Sequence, residues 1–218
     1  MKLDPQAALA GKTLLLLDFD GPVCSVFAGY PASQIAAELV ESLREVAPRL
    51  AADLEGEQDP MEVLRQSAGT LPRDQVDKID EQLGLAELKA VESAEPTPGA
   101  ADLIVTARQA GLSVAIVSNN SAEPIAKYLQ GRGLDREVDL IIGRPFGRPE
   151  QMKPDPYLLH EALSALSVDA AHACFVGDSV TDIEAGEAAG VMTIGYANKP
   201  GKAQRLKDAG ADIVVDVL

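Results

Sequence analysis

Short, almost purely apolar runs recur through most of this chain, and each is followed by a small or polar residue. Runs of this kind, without polar alternation, are typical of strands that are buried on both faces, as in a parallel sheet. Six candidate strands are recognised in this way: Leu14–Leu17, Leu112–Val117, Leu140–Ile142, Cys174–Val176, Val191–Ile194 and Ile213–Val215.

The segments between the later strands carry the periodicity of helices. One helix is predicted from about Pro98 to Ala110, a second after Ser121, and a third near Pro156. Because strands and helices alternate, the sequence predicts an α/β fold built on a doubly wound parallel sheet of the Rossmann-like kind.

Residues 23–95 interrupt this alternation, because they contain several helical patterns and no convincing strand. Pro31 suits the first turn of one helix, and Asp59-Pro60 suits the N-cap and first position of another. A third helix is predicted at Val76, Ile79 and Leu83 and a fourth at Leu88 and Val91. The sequence thus predicts a core of residues 1–22 and 96–218 with an inserted all-helical cap domain, residues 23–95.

The charge balance bears on the partners of this chain. Its 34 acidic and 19 basic residues give a net charge of −15, and an acidic surface repels nucleic-acid backbones and anionic lipid. Asp4, Pro5 and Gln6 interrupt the N-terminus where a signal peptide would be apolar. We therefore expect a cytoplasmic protein that binds neither nucleic acid nor membrane. The sequence predicts no particular oligomeric state.

The histidines and cysteines of this chain provide few candidates for catalytic or metal-binding residues. The two cysteines, Cys24 and Cys174, are far apart in sequence and form no CxxC pair. The two histidines, His160 and His172, fall within a helical pattern and just before a strand. A hydrolytic triad or a histidine-rich zinc site is therefore disfavoured.

Aspartates and a few other polar residues follow three of the predicted strands. Asp18 and Asp20 follow the first, Ser118 and Asn119 the second, and Asp178 and Asp182 the fourth, while Lys153 precedes a core helix. Parallel α/β sheets bind ligands in the crevice beyond the carboxyl ends of their strands. We therefore expect these side chains to meet in one place.

Several carboxylates in one crevice require a cation, because uncompensated negative charges raise one another's pKa and cost stability. Mg²⁺ prefers carboxylate oxygen, water and substrate phosphate as ligands. With a metal and an ammonium group neutralising the phosphate, one carboxylate can act as a nucleophile. The residues alone thus indicate Mg²⁺-assisted chemistry on a phosphorylated compound.

With these residues the chain resembles the haloacid dehalogenase superfamily, in the phosphoglycolate phosphatase-like subgroup with a helical cap after the first strand. Its four motifs occur in order as Asp18-Phe-Asp-Gly21, Ser118-Asn119, Lys153-Pro154 and Gly177-Asp-Ser-Val-Thr-Asp182. The cap matches in position and helical character rather than in sequence, and Pro22 stands where the family usually has Thr.

The resemblance implies a role for each motif residue. Asp18 would be the nucleophile that forms an aspartyl-phosphate, and Asp20 would protonate the leaving oxygen and then deprotonate the attacking water. Ser118 and Asn119 would hold the phosphoryl oxygens. Lys153 would bind the phosphate as well and offset charge on the nucleophile.

The same resemblance implies a Mg²⁺ site. Asp18, the backbone carbonyl of Asp20, and Asp178 would bind the ion, and Asp182 would act as a further ligand or support the others.

The expected activity follows from the leaving group. A halide leaves as a stable anion, whereas the alkoxide of a phosphoester needs a proton, so an acid at Asp20 favours phosphoryl transfer over dehalogenation. We therefore predict a Mg²⁺-dependent hydrolase of phosphomonoesters that acts on a small phosphorylated metabolite. The alternatives are a sugar phosphomutase of the same fold and a catalytically silent binding or regulatory module.

Substrate-binding residues are predicted from their position in the sequence alone. Cys24 and Phe27 lie just after the nucleophile, and Arg144 and Arg148 lie in the loop that leads to Lys153. Bases of the insertion are further candidates for gripping a substrate carboxylate or a second phosphate: Arg44, Arg49, Arg65 and Arg73.

Overall fold

The structure is a computed structural model, and it describes residues 9–218. In chain order the strands are β1 (Leu14–Leu17), β2 (Cys24–Ser25), β3 (Glu95–Pro96), β4 (Ser113–Val117), β5 (Leu140–Ile142), β6 (Ala173–Gly177), β7 (Met192–Tyr196) and β8 (Ile213–Val215). Six of them form one parallel sheet in the order β5-β4-β1-β6-β7-β8, while β2 and β3 form a separate antiparallel ribbon.

Helices connect these strands. In chain order they are α1 (Ala32–Val46), α2 (Pro48–Asp53), α3 (Pro60–Thr70), α4 (Arg73–Ala90), α5 (Ala100–Gln109), α6 (Ala122–Arg132), α7 (Tyr157–Leu166), α8 (Val180–Ala188) and α9 (Lys202–Asp208). Short 3₁₀ turns occupy Val91–Ser93, Pro149–Gln151 and Ala170–His172. The predicted parallel α/β fold is confirmed.

Strand β1 shows why the sheet is buried on both sides. All four of its leucines are buried, and Leu15 and Leu17 belong to one hydrophobic cluster whereas Leu14 and Leu16 belong to another. Helices α5 and α6 contribute to the first cluster, and helices α7 and α8 to the second. Helices therefore cover both faces, which explains why the strands are continuously apolar.

The insertion consists of α1 to α4 and the 3₁₀ turn that follows them. The Asp59 side chain caps α3 by accepting a hydrogen bond from the Met61 N–H at 2.8 Å, as its place before Pro60 predicts. Apolar residues of the insertion and of the sheet belong to the same hydrophobic cluster, which includes Ile35, Leu64 and Leu83 beside Leu15. The insertion is thus packed onto the core rather than tethered to it by its ends alone.

The structure differs from the sequence-based expectation in three details of the insertion. The predicted third and fourth helices are one helix, α4, and the short helix α2 was not predicted. The ends of the insertion are joined by the ribbon of β2 and β3, in which Cys24 lies opposite Pro96 and Ser25 opposite Glu95.

No helix within residues 9–218 combines the length and the apolar character that crossing a bilayer requires. Asp4, Pro5 and Gln6, on which the expectation about a signal peptide depends, lie outside the described residues.

Candidate active site

The predicted side chains converge at the carboxyl edge of the sheet, where β1 lies between β4 and β6. They line a crevice of about 300 Å³. From the core the lining residues are Asp18, Asp20, Ser118, Asn119, Asn120, Lys153, Asp178, Ser179, Thr181 and Asp182, and from the insertion and its approach they are Phe27, Ala32, Gln58, Asp59, Pro60 and Met61. The order of strands, with β1 in the middle, is what brings residues from distant parts of the sequence together.

Lys153 is the buried cation of this crevice, with 2% of its surface exposed. Its Nζ lies 2.8 Å from Asp18 Oδ1 and 2.6 Å from Asp182 Oδ1, and it donates a hydrogen bond to the Val117 carbonyl at 3.1 Å. Burial alone would lower the pKa of Lys153, but the two carboxylates outweigh it and raise the pKa. Lys153 is therefore a fixed positive charge.

Burial raises the pKa of Asp18 to about 7, and Asp182 and Asp178 add to this shift while Lys153 opposes it. The carboxylate of Asp18 is thus insufficiently neutralised by the protein's own cation. A further positive charge near it would be stabilising.

The Asp20 side chain is held apart from the ion pair of Asp18 and Lys153. Its Oδ1 accepts a hydrogen bond from the Val26 N–H at 2.9 Å, at the entrance to the insertion. Burial raises the pKa of Asp20 to about 6, although the Val26 hydrogen bond works in the opposite direction. A carboxyl group with this pKa can both donate and accept a proton near neutral pH.

Ser118 and Asn119 form a turn after β4. Ser118 is buried, and its Oγ accepts a hydrogen bond from the Asn120 N–H at 3.3 Å. The Asn119 side chain accepts from the Lys153 N–H at 2.8 Å and donates to the Lys153 carbonyl at 3.1 Å. The two loops of the crevice are therefore held to each other through Asn119.

Asp182 organises the loop after β6. Ser179 and Asp182 form a capping box at the start of α8, and Asp182 Oδ2 also accepts hydrogen bonds from the backbone N–H groups of Asp178 and Ser179 at 3.1 and 2.9 Å. Burial raises the pKa of Asp182, but Lys153 and Ser179 outweigh it, so the net shift is downward. Asp182 is thus a charged anchor for Lys153 and for the Asp178 loop.

Asp18, Asp178 and Asp182 each place one carboxylate oxygen within 4.8 Å of the others. Since both oxygens of Asp182 are already engaged, Asp18 and Asp178 fit best as ligands of a hard divalent cation. Burial raises the pKa of Asp178 as well, against the effect of Lys202. The Asp20 side chain does not belong to this group of carboxylates.

Gly21 makes room for Asp178. It has a φ of +108°, and a Cβ atom built on it would lie 2.4 Å from the Asp178 Cγ. Both observations require glycine at the end of the first motif.

Besides the four arginines of the insertion, three predicted substrate residues do not line the crevice. Cys24 is fully buried in the hydrophobic cluster that the insertion shares with the sheet. Arg144 is also buried, because it lies between the carboxylates of Asp80 and Glu87 in α4, 2.7 and 2.8 Å away, so the prediction that it binds substrate is wrong and its role is structural. Arg148 is exposed at the surface outside the crevice. Phe27 does line it.

Two residues near the Asp178 carboxylate were not predicted. The Asn198 side chain donates to Asp178 Oδ2 at 3.1 Å, and Lys202 at the start of α9 forms an ion pair with the same oxygen. Both follow β7, a strand that does not border β1, so no motif indicated them. The crevice wall from Gln58 to Met61 was also missed, although Asp59-Pro60 was recognised as a helix start.

Comparisons with known proteins agree with this geometry. The model of a family described as haloacid dehalogenase-like hydrolase matches residues 13–190. The phosphoglycolate phosphatase of Rhodospirillum rubrum is 33% identical over 138 residues, 58% of this chain and 56% of that protein. The phosphoglycolate phosphatase of Pseudomonas syringae pv. tomato is 27% identical over 228 aligned positions, 99% of this chain and 81% of that protein.

The chain spans little more than half the length of the first curated relatives that it matches. Among solved structures, β-phosphoglucomutase from Clostridium difficile has a TM-score of 0.71 at 18% identity, covering 94% of this chain and 91% of that one. CbbY from Rhodobacter sphaeroides, solved with phosphate, has a TM-score of 0.66 at 20% identity, covering 94% of each chain. At these identities the structures establish a shared fold.

Proposed function

Because the chain belongs to the haloacid dehalogenase-like hydrolases, we propose that it is a Mg²⁺-dependent phosphatase that hydrolyses the monoester of a small phosphorylated metabolite. The observation that supports this most is the pair of carboxyl groups at Asp18 and Asp20. One is in contact with a buried ammonium group, and the other is separate from it and has a pKa of about 6. These are the surroundings that a nucleophile and an acid–base group need.

In the first step a carboxylate oxygen of Asp18 attacks phosphorus. A bond forms between that oxygen and phosphorus, the ester bond between phosphorus and the alcohol oxygen breaks, and the leaving alkoxide takes its proton from Asp20. Ser118 Oγ and the Asn119 N–H hold the phosphoryl oxygens, and Lys153 offsets their charge. The product of this step is an aspartyl-phosphate on Asp18.

In the second step Asp20, now a carboxylate, removes a proton from water. That water attacks phosphorus, the bond to Asp18 breaks, and inorganic phosphate leaves while Asp18 is restored as a carboxylate. One residue thus serves as acid and then as base, which a pKa near 6 permits.

Asp18 and Asp178 are the residues that would hold Mg²⁺, with Asp182 keeping Asp178 and Lys153 in place. When bound, the ion would supply positive charge to the carboxylates and to the phosphate. Lys153 alone does not supply enough, as the raised pKa of Asp18 indicates.

The alternatives have less support. A catalytically silent module would lack the nucleophile, the acid or a metal-binding aspartate, and Asp18, Asp20 and Asp178 are all present in the crevice. The similarity to a phosphomutase is at the level of the fold and does not favour phosphate transfer between sugar positions over transfer to water.

The test is hydrolysis of p-nitrophenyl phosphate and of a panel of phosphorylated metabolites, with and without Mg²⁺. We expect Mg²⁺-dependent turnover in the wild type and a loss of at least about a thousandfold in Asp18→Asn, as for nucleophiles in general. Asp135→Asn removes an exposed carboxylate outside the crevice and is the control. Near-wild-type turnover by a folded Asp18→Asn protein would show that Asp18 is not the nucleophile.

A further inference from the structure

One wall of the crevice is formed by residues of the insertion and of the segment that leads into it. We expect the leaving group of a substrate to contact this wall. Phe27, Ala32, Pro60 and Met61 present mainly apolar surface there, and Gln58 and Asp59 are the polar members. Pockets of this composition bind an organic group through apolar contact and orient it through a few polar groups. The polar groups of this wall are one amide and one carboxylate.

The insertion has six cationic side chains, Arg44, Arg49, Arg65, Arg73, Lys78 and Lys89, and none of them lines the crevice. Most are exposed elsewhere: Arg44 pairs with Glu41, Arg73 pairs with Asp77, and Lys89 lies over the Tyr30 ring. Arg65 is nearest in sequence to the wall. Its Nη2 donates to the Lys153 carbonyl at 2.7 Å and its Nη1 lies 3.6 Å from Glu62, so its guanidinium is already engaged, and Arg65 does not line the crevice.

Three cations of the core near the crevice are engaged as well, whereas a fourth, Lys199, is exposed and its charge acts on Asp20. Lys153 has three oxygen partners, in Asp18, Asp182 and the Val117 carbonyl, and Lys202 is paired with Asp178. Arg144 is buried between Asp80 and Glu87. Among the described residues that line the crevice, therefore, Lys153 is the one cation, and it lies beside Asp18 rather than among the lining residues of the insertion.

Asp59 makes the wall electronegative. Asp59 lines the crevice, and burial raises its pKa; the Met61 N–H and Arg65 oppose this shift, while Glu57 and Glu62 add to it. A negative charge brought to this wall would meet a carboxylate rather than a cation, and like charges placed together at an interface are unfavourable.

From this arrangement we propose that the leaving group of the substrate is an uncharged alcohol of the polyol or sugar kind. Phosphomonoesters whose leaving group carries a carboxylate or a second phosphate are then poor substrates. Asp59 and Gln58 would hydrogen-bond hydroxyl groups, while Phe27 and Met61 pack against the carbon skeleton. This inference rests on the proposed phosphatase function and concerns which phosphomonoesters the same crevice accepts.

The test compares two substrates with the same three-carbon skeleton, glycerol 3-phosphate and 3-phosphoglycerate, which differ in a terminal hydroxymethyl or carboxylate group. We expect kcat/KM to be at least about tenfold higher for glycerol 3-phosphate, because only 3-phosphoglycerate brings a charge to the wall. A compound that is not turned over is measured as a competitive inhibitor of p-nitrophenyl phosphate hydrolysis. Each compound then yields either a kcat/KM or an inhibition constant.

Asp59→Asn isolates the contribution of the carboxylate. Asparagine is as good an N-cap as aspartate, so α3 keeps its start while the wall loses a charge. We expect the preference for glycerol 3-phosphate to narrow by about threefold at low ionic strength and by less at high salt. Glu55→Gln is the control, because it removes an exposed carboxylate from the same insertion outside the crevice and should leave the preference unchanged.

Equal or better use of 3-phosphoglycerate by the wild type would overturn the inference, as would an unchanged preference in Asp59→Asn. These results differ from a failure of the proposed function. In that case the wild type would not hydrolyse p-nitrophenyl phosphate or any other phosphomonoester with Mg²⁺ present.

Discussion

At the scale of single residues, the crevice depends on close packing as much as on charge. Gly21 and Asp178 come from different strand ends, and the space that Gly21 leaves is filled by the carboxylate of Asp178. The Thr97 hydroxyl also donates to the Gly21 carbonyl at 2.5 Å, which fixes the turn from the other side. A substitution at Gly21 must therefore move the backbone or the aspartate.

We expect Gly21→Ala to weaken Mg²⁺ binding by at least about tenfold, because displacing Asp178 removes one of the two fitting ligands. Isothermal titration with Mg²⁺ measures this directly. Gly56→Ala is the matched control, since Gly56 also has a positive φ but an added Cβ would meet no atom within 4 Å. Both variants place alanine at a positive φ, which costs about 1–2 kcal/mol. Equal Mg²⁺ affinities in the two variants would contradict the packing argument.

Much of this site could be predicted from the sequence, because most of its residues directly follow a strand. Asp18, Asp20, Ser118 and Asp178 each follow a buried strand, and parallel strands end at a common edge, so adjacency in space follows from the fold class. Arg144 shows the limit. Its place in the loop before Lys153 says nothing about which way the side chain points, and two acids of a distant helix bind it instead.

At the scale of elements, helix α4 is fixed to the core by buried charges. Glu87 accepts hydrogen bonds from the Asn120 side chain at 3.1 Å and from the Ser121 N–H at 3.0 Å, in the loop that continues from Ser118 and Asn119. Arg144 links the same Glu87 to the Asn119 carbonyl, to which it donates at 2.7 Å. The insertion is therefore connected through side chains to the loop that is expected to bind phosphate.

We expect Arg144→Met to destabilise the protein by about 3–5 kcal/mol, because Asp80 and Glu87 would remain buried without their cation. Urea unfolding at neutral pH measures the change in the free energy of unfolding.

The control for that variant is Arg73→Met, which removes an exposed pair with Asp77 on the same helix and should cost less than about 1 kcal/mol. If the two variants lost similar stability, the buried cluster would not be what fixes α4.

Elements also differ in how far the sequence predicts them. The strands of the main sheet are evident because burial on both faces leaves an apolar run, whereas the two-residue strands β2 and β3 are too short to leave any pattern. The sequence predicts α4 as two helices because the apolar positions from Val76 to Leu88 do not form one regular series. Gly84 lies in its interior without ending it, because tertiary packing outweighs helix propensity.

At the scale of the whole molecule, the packing joins the insertion to the sheet. The insertion and the sheet share one hydrophobic cluster, so neither can lose its packing without exposing apolar residues of the other. Asp18 and Asp178 are each paired with a lysine, yet burial still raises the pKa of both carboxyl groups, and the chain has a net charge of −15. A divalent cation bound between them should therefore stabilise the entire chain rather than one loop.

We expect thermal unfolding to show a single transition that Mg²⁺ moves to higher temperature. A ligand that binds only the folded state adds about 2.7 kcal/mol at one hundred times its Kd, whatever the activity of the enzyme. Calorimetry of the wild type and of Asp178→Asn, each with Mg²⁺ or with a chelator, measures this. The shift should vanish in Asp178→Asn because one ligand is lost, whereas the exposed Asp135→Asn should keep it. A shift of undiminished size in Asp178→Asn would place the ion elsewhere, and two separate transitions would show that the insertion unfolds on its own.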